Sequence, residues 1–594
     1  MPDPPPRPEY PRPLLVRPGW SNLNGSWELG FDPSDRGLRE GWERGRPFEG
    51  RIQVPYPIGS ELSGCRAPED PLPVVWYRRR FRHAPTGRGA RGAAARTLLR
   101  IGACDFATRV FVNGQQVGAH RGGYSPIACE VGHVLRPGEN EVVLRVEDPA
   151  TWSQPRGKQA AGAARSPVDY DAITGVWQTV WLEDLPEVSI DEIYTCWSRA
   201  SGELAVHGVF SELWDGEVEV ALYDHTREVA RATGSGFGRR EVRVVLRPPG
   251  PREWSPEDPH LYALRVELRR GAETMDLASS YTGLRELATE DGRILLNGKP
   301  LYVRGVLDQG YFPGGWYAAA RDEDLRRDVE LTRALGFNCA RKHQKVEDPR
   351  YLYWADTLGL LVWGEMPSGR DFCSDLVTDL SREWLEVVRR DRGHPSLMAW
   401  VPFNESWGVW QQARRVEQRA FVEGLAGLTR ALDPTRLVVA NDGWEYTTGD
   451  LWTLHLYEGE PDAVSARLDA LLADPATPIL RAGSPLGERL GALAGADVAG
   501  LPVLLSECGG IGFRDAGTPE PERPAFAYGD LPKTQAELEA RIRAVADLLR
   551  DRPELSGFVW TQLSDVQQEI NGLVTFDRQP KLPLPLLRSI FEEI

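Results

Sequence analysis

The stretch LMAWVPFNESWGVW, Leu397 to Trp410, decides the fold of the C-terminal half of the chain. An apolar run from Leu397 to Phe403 stops at Asn404 and Glu405, and Trp400, Trp407 and Trp410 lie within five positions of that pair. Such a run reads as a strand buried on both faces, as in a parallel sheet. A carboxylate at its C-terminal end is costly to desolvate unless it is paired or its pKa moves. Glu405 therefore reads either as a tuned acid or as a helix cap or arginine partner, because structural ion pairs perturb carboxylates too.

From about Leu287 onward, apolar strands alternate with amphipathic helices, the signature of a parallel barrel or doubly wound sheet. Beside Leu397–Glu405 the strand candidates are Leu301–Val306, Phe337–Arg341, Leu360–Glu365, Leu437–Asn441, Leu451–Tyr457, Pro502–Glu507 and Gly557–Gln562. Between them, Asp322 to Leu335 places Leu325 and Val329 on one stripe. TQAELEARIRAVADLL opens with a capping box, Thr534 and Glu537, and repeats Leu538, Ile542, Val545 and Leu549 at helical spacing. Eight strands in residues 287–594 is the (β/α)8 TIM-barrel count.

Upstream the rhythm is all β. Val74–Phe81, Thr97–Gly102, Thr108–Val117, Asn140–Asp148 and Gly175–Asp184 are short strands, with Asn113-Gly114 as a hairpin turn. They predict a jelly-roll sandwich over residues 21–185. Gly202–Phe210, Glu217–Asp224, Glu241–Pro248 and His260–Arg269 predict an immunoglobulin-like sandwich over 186–286, without the disulfide. Residues 1–20 are proline-rich and read as an extended arm over a neighbouring domain. The expected fold class is thus multidomain β plus α/β, ending in a TIM barrel. The Ala-, Gly- and Pro-rich segment Leu472 to Gly500 reads as either a lid or a disordered insertion.

Composition bounds the function. Of 594 residues 26% are charged and 41% hydrophobic, and the net charge of -16 comes without a basic stripe. Nucleic acid and anionic membranes need clustered Lys and Arg, so neither is an expected partner. The seven cysteines are scattered and form no C-x-x-C pair, so they read as reduced thiols, and no metal or cofactor is called for. With no apolar leader and no long apolar span, the cytoplasm is the expected location. Twenty tryptophans hint at surfaces that stack on sugars, although large β cores also consume tryptophan.

Barrel enzymes carry their chemistry at the C-terminal ends of the strands. Those ends read, in order, Asp308, Arg341 with His343, Glu365, Asn404-Glu405, Asn441-Asp442, His455 with Tyr457, Glu507, and Trp560 with Gln562. Glu405 and Glu507, on strands four and seven, face each other across the mouth. Two carboxylates about 5–5.5 Å apart make the pair of a retaining glycosidase.

At these residues the chain resembles glycoside hydrolase family 2, which includes β-galactosidases, β-glucuronidases and β-mannosidases. The matching segments are VPFNESWG (Val401–Gly408), LLSECGG (Leu504–Gly510), GFNCARKH (Gly336–His343), ADTLGLLVWGEMP (Ala355–Pro367) and RVFVNGQQVGAHRGGYSPI (Arg109–Ile127). The resemblance implies Glu405 as acid/base and Glu507 as nucleophile. Asn404 would bond the hydroxyl beside the anomeric carbon, Arg341 would keep Glu507 ionised, Tyr457 would donate to it, and Trp560 would be a sugar platform. Trp444, His343, His455, Asp308, Asp565 and Glu569 complete the candidate substrate-binding set. The family's glucuronidases carry an Asn-x-Lys signature near the C-terminus. The corresponding segment, QEINGLVTFDRQPK (Gln568–Lys581), has Glu569, Ile570 and Asn571, which disfavours a uronic acid by charge.

The expected activity is a retaining exo-glycosidase on a neutral β-linked sugar, β-galactosidase-like, with an oligosaccharide or glycoside as partner and homo-oligomerisation left open. The alternatives are a furanosidase (α-L-arabinofuranosidase or β-galactofuranosidase), a β-glucuronidase, or a non-catalytic carbohydrate-binding protein.

Overall fold

The computed structural model describes residues 5–67, 74–83, 96–161, 166–458, 460–481, 483–514 and 523–594. Residues 1–4 of the expected arm lie outside them.

The N-terminal sandwich packs a four-stranded sheet on a six-stranded one. In its edge hairpin, Ala107–Val112 pairs with Gln115–Arg121. Both turn residues have positive φ, Asn113 at 51° and Gly114 at 81°. That is the twist a two-residue hairpin needs and the reason for Asn-Gly there. The next sandwich packs sheets of three and four strands around Phe210, Trp214, Val220, Val244 and Val266. All seven cysteines are free.

The arm ties the domains together. Arg7 pairs with Asp348 of the barrel at 2.9 Å, Tyr10 donates to Glu183 of the first sandwich at 2.6 Å, and Arg17 pairs with Asp276 of the second at 2.6 Å. These groups are largely buried, so losing one partner leaves an uncompensated charge.

The eight barrel strands are Val303–Asp308, Cys339–Lys342, Leu361–Glu365, Leu397–Val401, Leu437–Val438, Trp452–His455, Val503–Gly509 and Leu555–Thr561, counted one to eight. All their ladders are parallel, and the sheet runs from strand five through four, three, two, one, eight and seven to six. Its seam falls between five and six, where strand five is two residues long. Trp254 and Ile294 from outside the barrel pack with Val303, Cys339, Trp363 and Val401 in one buried cluster. Helices such as Asp322–Ala334, Ser374–Asp391 and Gln535–Arg550 cover the outside with Leu325, Val329, Leu380, Leu538 and Ile542. The Thr534 hydroxyl accepts from Glu537 N, as the capping box predicts.

Strand four is shorter than the apolar run suggests. It ends at Val401, because Pro402 cannot donate to a ladder. Asn404 and Glu405 therefore stand in the turn beyond the strand.

Candidate active site

Side chains alternate in and out along each strand, and this sorts the candidate residues. On strand two Cys339 and Arg341 point into the barrel, while Lys342 points out. On strand one Asp308 points out and pairs with Lys342 at 2.6 Å. Asp308 is thus part of an outer ion network that continues to Glu347 and Lys345, and is not a sugar ligand. On strand eight Trp560 points out and packs edge-on against Phe591 of the helix Leu584–Glu592, with ring centroids at 5.3 Å. It is not the sugar platform; the next residue, Thr561, faces inward and its hydroxyl lies 2.8 Å from that of Tyr457. Trp400 likewise faces the helices, edge-on to Trp384 at 5.4 Å.

What remains converges on Arg341, which is fully buried. Its guanidinium lies 2.6 Å from Asp442, 2.7 Å from Glu365 and 3.1 Å from Glu507, and donates to the side-chain oxygen of Asn404 at 2.6 Å. A fork of five donors can serve that many acceptors, and a lysine could not. With its oxygen committed to Arg341, Asn404 offers a ligand its amide N–H groups.

Glu405 sits where the backbone is unusual. It and Ser406 have φ of 53° and 57°. Two adjacent left-handed residues other than glycine cost about 1–2 kcal/mol each. The turn is held by Glu405 N to Asp442 O at 2.9 Å, Ser406 N to Asn441 Oδ1 at 2.9 Å, and the Ser406 hydroxyl to Glu445 at 2.5 Å. Glu445 is fixed in turn by Arg489, which also donates to Trp410 O at 2.6 Å. Arg489 belongs to a hairpin, Pro478–Leu480 with Arg489–Leu490. Of the described residues of 472–500, this hairpin buttresses the Glu405 turn through Arg489.

An oxygen of Glu405, a nitrogen of His455 and an oxygen of Glu507 all lie within 4.8 Å of one another. His455 Nδ1 is 2.9 Å from Glu405, and its Nε2 is 2.9 Å from Asp442 and 3.5 Å from Glu507. Burial disfavours the imidazolium, but Glu507 and Asp442 outweigh it and raise His455 to about 10. Both ring nitrogens of His455 thus lie against carboxylates, Nδ1 against Glu405 and Nε2 against Asp442.

The two glutamates are driven apart. Burial raises Glu405, and the charge of Glu507 adds to it against the His455 contact. Burial would also raise Glu507, but the charges of His455 and Arg341 and the Tyr457 hydroxyl at 2.5 Å together hold it below the ordinary carboxylate value. Two neighbouring carboxyls whose pKa values are pushed in opposite directions form the pattern of an acid beside a nucleophile. His343, 3.0 Å from Glu365 and 3.9 Å from Glu507, is pushed well down by burial and is neutral.

Trp444 is buried and meets His455 edge to face at 5.8 Å, so it backs the imidazole and offers no open face to a sugar. Asp565 pairs with Lys581 at 2.7 Å and accepts from Gly572 N, bracing the loop after strand eight; burial raises its carboxyl to about 6. Glu569 in that loop pairs with Lys158 of the first sandwich at 3.2 Å. Asp442, Lys158 and Tyr528 are absent from the residues selected on sequence. Asp442 had a signal, its place after strand five. Lys158 and Tyr528 lie in loops with no periodicity to mark them.

Three sequence models of glycosyl hydrolases family 2 match this chain: its sugar binding domain over residues 20–186, a central domain over 195–285 and its TIM barrel domain over 287–459. A β-galactosidase of Thermoanaerobacter pseudethanolicus is 26% identical over 57% of the chain and 46% of its own length. A β-glucuronidase of Paenibacillus borealis is 27% identical over 72% of the chain and 73% of its own length. The chain thus spans under half of the first of these relatives. A solved β-glucuronidase of Ruminococcus gnavus in complex with D-glucuronic acid superposes with a TM-score of 0.78 at 20% identity, covering 98% of this chain and 99% of that one. At that identity the likeness shows the fold.

Proposed function

The chain belongs to glycoside hydrolase family 2, and we propose that it is a retaining exo-glycosidase that releases a terminal, neutral β-linked sugar by double displacement. The observation that carries this reading is the pair Glu405 and Glu507, with oxygens within 4.8 Å and pKa values shifted in opposite directions. Glu405 donates its proton to the leaving oxygen while Glu507 attacks the anomeric carbon. Glu405, now ionised, then takes a proton from the water that releases the sugar, and both groups return to their starting state. Arg341 and Tyr457 hold the Glu507 carboxylate in place, and the Asn404 amide donates to the hydroxyl beside the anomeric carbon as charge develops there.

A neutral galactoside is the first choice of substrate. A β-glucuronide is the second, favoured by the names of several relatives and by the Lys158 cation beside Glu569. A panel of p-nitrophenyl β-galactoside, β-glucoside, β-mannoside, β-glucuronide and α-L-arabinofuranoside tests both. Release of nitrophenol with a β-anomeric sugar as first product is expected; inversion at the anomeric carbon, or no turnover of any member, overturns the proposal.

A further inference from the structure

A segment of the first sandwich crosses to the barrel mouth. Arg156 N and Gly157 N both donate to Ser368 O beyond strand three, at 3.2 and 2.9 Å. Gly157 has φ of 59°, and a Cβ on it would stand 2.4 Å from the carbonyl oxygen of Gln344, so only glycine fits. This close approach delivers the next side chain, Lys158, to the barrel. Its ammonium lies 3.2 and 3.3 Å from the two oxygens of Glu569, and the Tyr170 hydroxyl donates to the same carboxylate.

Two short chains of contact join this cluster to Glu507. On one side Gly157 packs on Gln344, whose backbone N–H donates to Glu365 at 2.8 Å, and Glu365 holds Arg341. On the other, Phe526 pairs with the backbone around Glu569 and meets Tyr528 edge-on at 5.4 Å. Tyr528 stacks on Tyr457 at 3.7 Å, and Tyr457 donates to Glu507. The Lys158 side chain keeps 10% exposure against 2% for Glu569, so the lysine is the more accessible member of the pair. An ammonium has three donors, and the pairing with Glu569 leaves one to give. The charge of Glu507 is felt at Lys158 and favours its protonated form, which places the two in one electrostatic environment.

We propose that Lys158 and Glu569 form a compensated pair that reads hydroxyls of the bound sugar away from its anomeric carbon, and that Glu569, by neutralising Lys158, keeps the site selective for neutral sugars over uronic acids. The proposal rests on the glycosidase reading. The first sandwich thereby supplies a specificity residue to a reaction carried out by the barrel. Remove the charge of Glu569, and an unpaired cation faces the sugar, which attracts a carboxylate on it.

The experiment compares kcat/KM for p-nitrophenyl β-glucuronide and for the best neutral glycoside across four proteins: unaltered, Glu569→Gln, Lys158→Met, and the double variant Lys158→Met/Glu569→Leu. Turnover by the unaltered protein tests the glycosidase reading on its own, and the ratios between variants test the pair. Glu569→Gln is expected to raise the glucuronide-to-neutral ratio by about tenfold or more, a tenfold change being about 1.4 kcal/mol. Lys158→Met is expected to raise KM for the neutral glycoside without any gain on the glucuronide. The double variant replaces a buried pair by apolar groups, which domains commonly tolerate. A purely structural pair predicts that it recovers unaltered kinetics, whereas the proposal predicts a raised KM. Recovery in the double variant, or a ratio within twofold of the unaltered value in a folded Glu569→Gln, overturns the proposal.

Discussion

The floor of the barrel mouth and its rim are built in different ways. The floor, Arg341, Glu365, Asp442, His455 and Glu507, comes from strands two, three, six and seven and the turn after five. Each side chain there is aimed by the inward phase of a strand or anchored by the barrel ladder, and each is bonded to at least one other. The rim, Lys158, Tyr170, Tyr528 and Glu569, comes from two domains and two long loops, joined by one ion pair, one phenol and a ring stack. Strand ends that converge by barrel geometry can hold reacting groups within a few tenths of an ångström; loops brought together by domain packing can be exchanged without disturbing them. The floor is therefore suited to fix the reaction and the rim to choose the sugar.

Three substitutions break or sharpen that contrast. The largest effect is expected from Glu507→Gln, which removes the attacking group. Turnover should fall at least about 10⁴-fold on every glycoside, with sugar binding retained, as measured by steady-state kinetics and calorimetry. A loss confined to one sugar would place Glu507 with the rim.

Next is Glu405→Gln. Loss of a general acid costs about 10²–10⁴-fold, and more with poor leaving groups than with nitrophenol. The pH profile gives a sharper check. In the unaltered protein kcat/KM rises as pH increases through the pKa of Glu507, held low, and falls as pH passes that of Glu405, held high. His455, near pH 10, stays charged through this window. Glu405→Gln should erase the falling limb and leave the rising one; a profile that keeps both limbs assigns the acid elsewhere.

The smallest effect is expected from Tyr170→Phe. The ring keeps its edge contact with Tyr311 at 4.9 Å, and only the hydroxyl on Glu569 is lost. One hydrogen bond to a charged group is worth about 1.5–3 kcal/mol, part of which Lys158 recovers. A several-fold rise in KM with kcat unchanged is expected, read from Michaelis plots on a neutral glycoside. A matching fall in kcat would make the rim part of the reaction.

Much of the floor was legible beforehand. The apolar runs located all eight strands, and their ends held Arg341, Glu365, Asp442, His455, Tyr457 and Glu507. Asp308 and Trp560 are not in the mouth, and the signal against them is in the chain: counting alternately along their own strands from the inward Val303 and Val559 turns both outward, toward Lys342 and Phe591. Trp444 carried no such signal, since it follows strand five in a turn whose direction no periodicity fixes. The positive φ of Glu405 and Ser406 was equally hidden, because neither residue type favours it and the cost is met by Asp442, Asn441 and Glu445 from distant segments.

By itself the sequence determined three modules, the barrel and the two glutamates, because strand period, turn chemistry and apolar patterning are local properties. Only the tertiary structure decided that Arg341 binds four side-chain acceptors at once, that His455 stands between Glu405, Asp442 and Glu507, and that Lys158 meets Glu569 across 411 positions of chain. Each of these depends on electrostatic contact between groups that no local period relates, and burial in the assembled mouth is what makes such contacts strong.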